Sequence, residues 1–271
     1  MNEPTYSQLL EVATGAARTA GMIALDGFRG ELEIRSKGGT DIVTQFDTAA
    51  ESATISYIKQ RFPEHGFLGE EGGASHISGD ELAYTWIIDP IDGTHNYAME
   101  LPFWCTSVAV TGSGDRVLAG AIFDPVHDEM FTASLGGGAY LNGTALHMPD
   151  VMNVSEAILS SDIGYEPDVA RTMLLLAGYV QPRVRRLRLL GSAVLSLAYV
   201  AAGRFSSYYH LSLQPWDMAA ASLLIREAGG VVTGWEGEPL GLHQGSAVAS
   251  SRALHADLLV LLHEGSSADR I

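Results

Sequence analysis

The stretch Trp86-Ile-Ile-Asp-Pro-Ile-Asp-Gly-Thr-His-Asn-Tyr97 sends an apolar run into two carboxylates three residues apart, followed by a Gly-Thr step. A simple turn needs one Asp and one Gly, so the second carboxylate calls for another explanation. Trp86–Ile88 predicts a buried strand, which leaves Asp89 at the edge of the core. Pro90 fixes a turn that brings Asp92 round, so that the Ile91 carbonyl faces the same point as both carboxylates. Gly93-Thr94 then opens a short helix, expected from Thr94 to Met99, whose free backbone N–H groups suit an anionic oxygen. Without context the same letters also describe a pair of ordinary turns.

Outward from this segment, Tyr6 to Phe28 has the apolar spacing of an amphipathic helix. Asp41-Ile-Val-Thr-Gln-Phe-Asp47 follows, with Asp47 expected as the N-cap of a second helix reaching about Arg61. Gly69-Glu-Glu-Gly-Gly73 is a tight acidic turn. Strands are expected at Thr85–Ile88, Cys105–Thr111, Val117–Phe123 and Glu129–Ala133, and Gly136–Gly143 as hairpin turns. From Val154 onward strands and helices alternate. Gly191-Ser192 opens a helix that Gly203 closes, and Pro215-Trp216-Asp217 opens one that Gly229-Gly230 closes. Val231–Thr233 and Ala247–Ala249 read as strands, and Arg252 to about His263 as a last helix. The coarse class is α+β: an N-terminal α+β lobe over residues 1–148 and a C-terminal α/β lobe over 149–271, in one compact unit.

With 271 residues, 46% of them hydrophobic, the chain can bury a sizeable core. A net charge of −16 argues against nucleic acid or an anionic membrane as the main partner. Lysine occurs only at Lys37 and Lys59, while arginines cluster at Arg183, Arg185, Arg186 and Arg188, the first three expected as surface or interface residues and Arg188 as meeting substrate or a partner subunit. No membrane span or secretory signal is expected. A single cysteine, Cys105 in an apolar run, reads as a buried inert thiol and fits a reducing cytoplasm. An acidic protein that handles anions needs metal cations to do so.

Asp41, Asp47, Glu70, Glu71, Asp89, Asp92 and Asp217 all sit at element ends rather than along helix faces. Carboxylates converging at a core edge raise one another's pKa unless cations lie between them. Hard divalent ions with oxygen ligands, Mg²⁺ above all, resolve the conflict. Other chemistries lack their residues. Asp89 and Asp92 do not have Asp-x-Asp spacing, and the sixth residue after Cys105 is Thr111 rather than an arginine. No nucleophile elbow, zinc spacing or glycine-rich phosphate loop occurs. Metal-assisted attack by water survives.

Taken in order, DIVTQFD (Asp41–Asp47), GEE (Gly69–Glu71), WIIDPIDGTHNY (Trp86–Tyr97), GAIFDP (Gly120–Pro125), GSA (Gly191–Ala193) and PWDMAA (Pro215–Ala220) resemble the inositol monophosphatase family. This family lies within the fructose-1,6-bisphosphatase superfamily. The likeness runs from about Arg35 to about Ser251. It implies a layered α/β/α/β/α sandwich, two to three Mg²⁺ ions, a homodimer, Li⁺ sensitivity and a small phosphorylated alcohol as substrate. By motif, Glu70, Asp89 and the Ile91 carbonyl would hold one ion, and Asp89, Asp92 and Asp217 a second. Glu70 would also touch a third through water. Thr94, supported by Asp47, would orient or deprotonate the attacking water. The Gly93 and Thr94 N–H groups would hold the phosphate, with Lys37 closing from the N-terminal loop, and Gly191, Ser192 and Ala193 would line the alcohol side.

One position departs from the pattern. Inositol-hydrolysing members carry an acidic residue six before the Trp of the Trp-Asp motif, and here that position is His210. An imidazole cannot reproduce a carboxylate's two acceptor oxygens, so histidinol phosphate, fructose bisphosphate, 3′-phosphoadenosine phosphate and NADP stay open as alternative substrates. From a different class, a catalytically retired interaction module is the rival reading. Such a chain would be expected to lose ligands, and Glu70, Asp89, Asp92, Thr94 and Asp217 are all present. His95 reads as a flanking position.

Overall fold

Leu9, Val12, Ala13, Ala16, Ala17, Ala20 and Ala24 lie on one face of helix α1 (Tyr6–Gly27), and all are buried. The small side chains let the helix lie close to the sheet beneath it. The structure, a computed structural model, describes residues 3–75 and 84–268. A two-stranded hairpin, β1 (Arg35–Gly38) and β2 (Asp41–Val43), leads into α2 (Gln45–Lys59). The cap of α2 is Thr44, not Asp47. Asp47 is instead the third helical residue and accepts a hydrogen bond from the Thr44 N–H, closing a capping box.

Among the described residues, the large sheet holds β3 (Gly66–Gly69), β4 (Gly73–Ser75), β5 (Thr85–Asp92), β6 (Cys105–Thr111), β7 (Val117–Asp124), β8 (Glu129–Ser134), β9 (Gly138–Leu141) and β10 (Thr144–Ala145). Its order is β10-β9-β8-β7-β6-β5-β3-β4, antiparallel except for the β3–β5 pair. Gly138–Leu141 forms a strand where the sequence suggested only turns.

The strand expected to end at Ile88 runs on to Asp92. Asp89 pairs with Ser107 and Asp92 with Cys105, so β5 carries one residue more than β6 between these two pairs. Pro90 sits in this bulge, where its missing N–H costs no ladder bond. A regular strand would point positions 89 and 92 to opposite faces; the extra residue restores a common side. Gly93 follows with φ +93° and caps α3 (Thr94–Ala98).

The second sheet has the order β12-β11-β13-β15-β14, from β11 (Ile158–Ser161), β12 (Arg186–Leu189), β13 (Ser207–His210), β14 (Val231–Thr233) and β15 (Ala247–Ser250). Helices α5 (Ala193–Ala201) and α6 (Pro215–Glu227) lie between the two sheets, packed with Ile87, Ala109 and Ile122 below and Tyr208, Ala247 and Ala249 above. Helices α4 (Pro167–Val180) and α7 (Arg252–Ala268) cover the outer face of the second sheet. With α1 and α2 outside the first sheet, the layers run α/β/α/β/α, as the motifs implied. The last helix extends five residues past the expected His263, to Ala268. No helix among the described residues is long and apolar enough to cross a membrane.

At the N-terminal end of β5, Trp86 Nε1 donates to His65 Nδ1 at 3.0 Å, and His65 stacks on Phe62 at 4.5 Å. Burial pushes His65 down from its ordinary 6.5 to about 4. The folded state then binds fewer protons than the unfolded one, so this stability is present above about 6.5 and is lost as pH falls toward about 4. Replacing the ring with a non-titrating acceptor, His65→Asn, should lower Tm at pH 7.5, and the gap from wild type should narrow by pH 4.5. Thermal melts followed by circular dichroism at both pH values decide this; a gap that stays constant refutes it.

Candidate active site

The C-terminal end of β5, the turn after β3 and the first turns of α3, α5 and α6 meet at one point. Asp89 and Asp92 come from the bulged strand and Asp217 from the first turn of α6. Ligand oxygens of these three carboxylates lie within 4.8 Å of one another. Asp89 is 2% exposed, and its Oδ1 is buried with no hydrogen-bond donor. Burial, and then the charges of Glu70, Asp92 and Asp217, push the Asp89 carboxyl well above its ordinary range. Burial and Asp92 do the same to Asp217, against the opposing Gln214 N–H, which donates to Asp217 at 2.7 Å.

Asp92 is the exception, because its partners are built in. The Ser192 hydroxyl and the backbone N–H groups of Ala193, Val194 and Leu195 all donate to it, the last three at 3.2, 2.9 and 3.3 Å. A strand residue of the first sheet thus caps a helix facing the second. Burial still raises Asp92, but these donors oppose the rise. Gly93 makes the approach feasible: at its φ of +93°, a Cβ would lie 3.0 Å from the Gly191 carbonyl oxygen and 3.2 Å from that of Phe103. Ser192 and Ala193, expected on the alcohol side, are engaged with Asp92, and Gly191 donates its N–H to Asp162 at 2.6 Å.

On the other flank Thr94 Oγ1 is 3.2 Å from Asp47 Oδ1 and 3.0 Å from the Ile91 carbonyl oxygen. Thr44 occupies Asp47 Oδ2 with its N–H and hydroxyl, which leaves Oδ1 for Thr94. Burial lifts Asp47 to about 6 against these bonds. Glu70 is raised to about 7, again by burial, with Lys37 opposing. The Lys37 ammonium bridges Glu70 and Glu71 at 2.9 Å each. Burial works against its charge, but the Glu70 field and bonds to both glutamates hold it well above its ordinary value.

Cys105 donates weakly to Asp92 Oδ2 at 3.7 Å. Burial and the charges of Asp92, Asp89 and Asp124 push its thiol well up, so it stays protonated. His210 is 3% exposed. Its Nδ1 accepts from the Ser212 N–H at 3.0 Å, and burial holds it near 4, so at neutral pH Nε2 carries the proton; Nε2 has no partner. Gly164 stands over that ring. Arg188 lies exposed on β12, the edge strand.

Three neighbours were given no part in the site by the motif reading. Asp162 follows β11, accepts from Gly191 and from the Tyr208 hydroxyl, and is lifted to about 7 by burial and Asp92. Its signal was the one that marked Asp89: a carboxylate where a buried strand meets a loop. Asn96 donates to the carbonyl oxygens of Phe103 and Leu190 at 2.7 and 2.6 Å and so fastens the Gly191 loop to α3. His95, expected as a mere flank, reaches the Thr40 carbonyl oxygen at 2.8 Å and faces the ring of Tyr165.

A buried oxygen without a donor, at Asp89 Oδ1, beside carboxylates converging from separate elements suits a hard divalent cation. Three comparisons with known proteins bear on this arrangement. The profile of the inositol monophosphatase family matches residues 5–267. An inositol monophosphatase of Dictyostelium discoideum is 37% identical over 236 residues, 86% of each chain. Nus factor SuhB of Escherichia coli is 36% identical over 264 residues, covering 96% of this chain and 98% of that one. Among solved structures, the extragenic suppressor protein suhB of Bartonella henselae superposes with a TM-score of 0.88 at 33% identity, over 95% of this chain and 99% of that one. The chain belongs to the inositol monophosphatase family.

Proposed function

We propose that this protein is a Mg²⁺-dependent phosphomonoesterase that hydrolyses a small phosphorylated alcohol with water, without a covalent intermediate. The observation that carries the proposal is Asp89 Oδ1, sealed from solvent with no donor and surrounded by other carboxylates. A buried, uncompensated anionic oxygen costs several kcal/mol unless a cation meets it. Family membership and the survival of Glu70, Asp89, Asp92, Thr94 and Asp217 favour an enzyme over a retired interaction module.

In this reading Glu70, Asp89, the Ile91 carbonyl, Asp92 and Asp217 hold the ions. The chemistry such ions supply when bound is Lewis-acid polarisation of the phosphate and a lowered pKa for water. Thr94 and Asp47 manage the proton. As the Thr94 hydroxyl donates to Asp47 Oδ1, its oxygen is free to accept a proton from the attacking water. Asp47, near 6, is matched to taking up that proton close to neutral pH. The Gly93 and Thr94 N–H groups orient the phosphate. Lys37, on the exposed β1–β2 hairpin, adds positive charge at its edge. The Ser192 hydroxyl and the α5 N-terminus fix the direction of Asp92, so that little reorganisation is left for the reaction.

Asp89→Asn should lower Mg²⁺-dependent phosphate release by more than about a hundredfold, the loss that removing even an outer metal partner can reach. The far-ultraviolet spectrum should be unchanged, and the rise in Tm that Mg²⁺ gives the wild-type protein should vanish. Near-normal turnover in that variant sinks the assignment. Ser192→Ala removes both a helix cap and a donor to Asp92. It should destabilise the fold by about 1 kcal/mol in urea titrations and raise the Mg²⁺ needed for half-maximal activity about tenfold. An unchanged Mg²⁺ requirement would show that Asp92 does not depend on this support.

A further inference from the structure

We infer that Tyr165, set against His95 at the mouth of the acidic centre, makes the site selective for phosphate monoesters whose alcohol carries a planar ring. This rests on the proposed phosphomonoesterase reading and names its substrate class. The phosphate end of any substrate is committed to the carboxylate floor, so the alcohol must extend past the rim. Two segments meet on that rim. From α3, His95 lies next to Thr94 and is tied to the hairpin by its 2.8 Å contact with the Thr40 carbonyl oxygen. From the loop after β11, Tyr165 brings its ring to 5.7 Å from the His95 ring, at an interplanar angle of 30°.

Tyr165 is 54% exposed, a large aromatic with one side against a ring and much of the rest in water. It still belongs to the site: after burial, the charges of Asp41, Asp92, Glu70 and Asp217 act on its hydroxyl and raise it. Its support is stiff. Gly164 has φ +83°, and a Cβ there would stand 3.1 Å from Val169 Cγ1 and 3.3 Å from His210 Cε1. The loop is therefore seated directly on the β13 imidazole and has no room to sink.

The alternative, a polyol, needs polar partners for its several hydroxyl groups, and the inner ones on this flank are already engaged. The Ser192 hydroxyl is spent on Asp92, and Asp162 on Gly191 and Tyr208. The free donor of His210 is sealed beneath Gly164. A hydroxylated ring pressed here would lose more hydrogen bonds to water than the Tyr165 hydroxyl and the His95 ring can return. A flat ring would instead cover exposed aromatic surface and stack on it, and it needs no such partners.

The test compares 2-phenylethyl phosphate, 2-cyclohexylethyl phosphate and glycerol 2-phosphate as substrates of the full-length protein in Mg²⁺. The wild-type protein should prefer the phenyl ester over the glycerol ester by about tenfold in kcat/KM, carried by KM, with the cyclohexyl ester between them. Tyr165→Ser should lower the phenyl-to-glycerol ratio about tenfold, while Tyr165→Phe should keep it. A ratio unmoved by Tyr165→Ser, or equal treatment of phenyl and cyclohexyl esters, overturns the inference and leaves the phosphomonoesterase reading standing. If no monoester releases phosphate, that reading falls and takes the inference with it.

Discussion

The arrangement depends on one local constraint: two carboxylates three positions apart on a strand must face the same way. A regular strand forbids this, since alternate residues take alternate faces. The extra residue between the Asp89–Ser107 and Asp92–Cys105 pairs lifts the prohibition. Pro90 suits that place because it has no N–H to leave unpaired. The left-handed Gly93 immediately after turns the chain so that Thr94 and Asp92 border the same space. The bulge, the proline and the glycine are thus one device, and each would lose its purpose without the others.

A device that gathers negative charge at the edge of a core works against stability, and the fold distributes the opposition unevenly. Asp92 receives the N-terminus of α5, which also joins the two sheets; here compensation and architecture coincide. Asp47 is served by its own capping box, and Asp217 by the Gln214 N–H. Glu70 is offset by Lys37, carried on the exposed strand β1. Among the described carboxylates only Asp89 keeps a fully buried oxygen with no donor. The order in which protein groups withdraw from these carboxylates is the order in which a cation becomes necessary. Such local cost is the usual mark of a site whose rigidity serves its chemistry.

Many elements were legible from local pattern, the apolar periodicity of α1, the apolar runs of β6 and β7 and the proline and glycine bounds of α6, whereas the layering was implied by the resemblance of the ordered motifs. The metal-ligand candidates were legible because Asp89 and Asp92 make poor sense as turn residues beside Trp86–Ile88. Reading Asp89-Pro90 as a turn failed for a specific reason. A bulge and a turn use the same residues, and the difference lies in the partner strand, which local sequence does not specify. The capping of α2 was misplaced by three residues because Thr44 and Asp47 both suit an N-terminus, and the box needs both. Asp162, Asn96 and Tyr165 stayed hidden because their roles exist only once loops distant in sequence meet.

The floor and the rim of the site are consequently different kinds of structure. The floor is fixed by a bulged strand and the starts of α3, α5 and α6, the last two packed between the sheets, where a change of one side chain disturbs several elements at once. The rim is made of loops, the β1–β2 hairpin and the segment 162–166, whose tips face water and tolerate change. In the proposed reading, reaction class resides in the floor and alcohol choice in the rim. Gly164 is the hinge of that division: its bare Cα lets the rim rest on the buried His210 ring. In that reading, an imidazole beneath and an aromatic ring above stand where a polyol would want a pair of acceptor oxygens. A chain with this floor is free to keep the family's chemistry while turning toward a different alcohol.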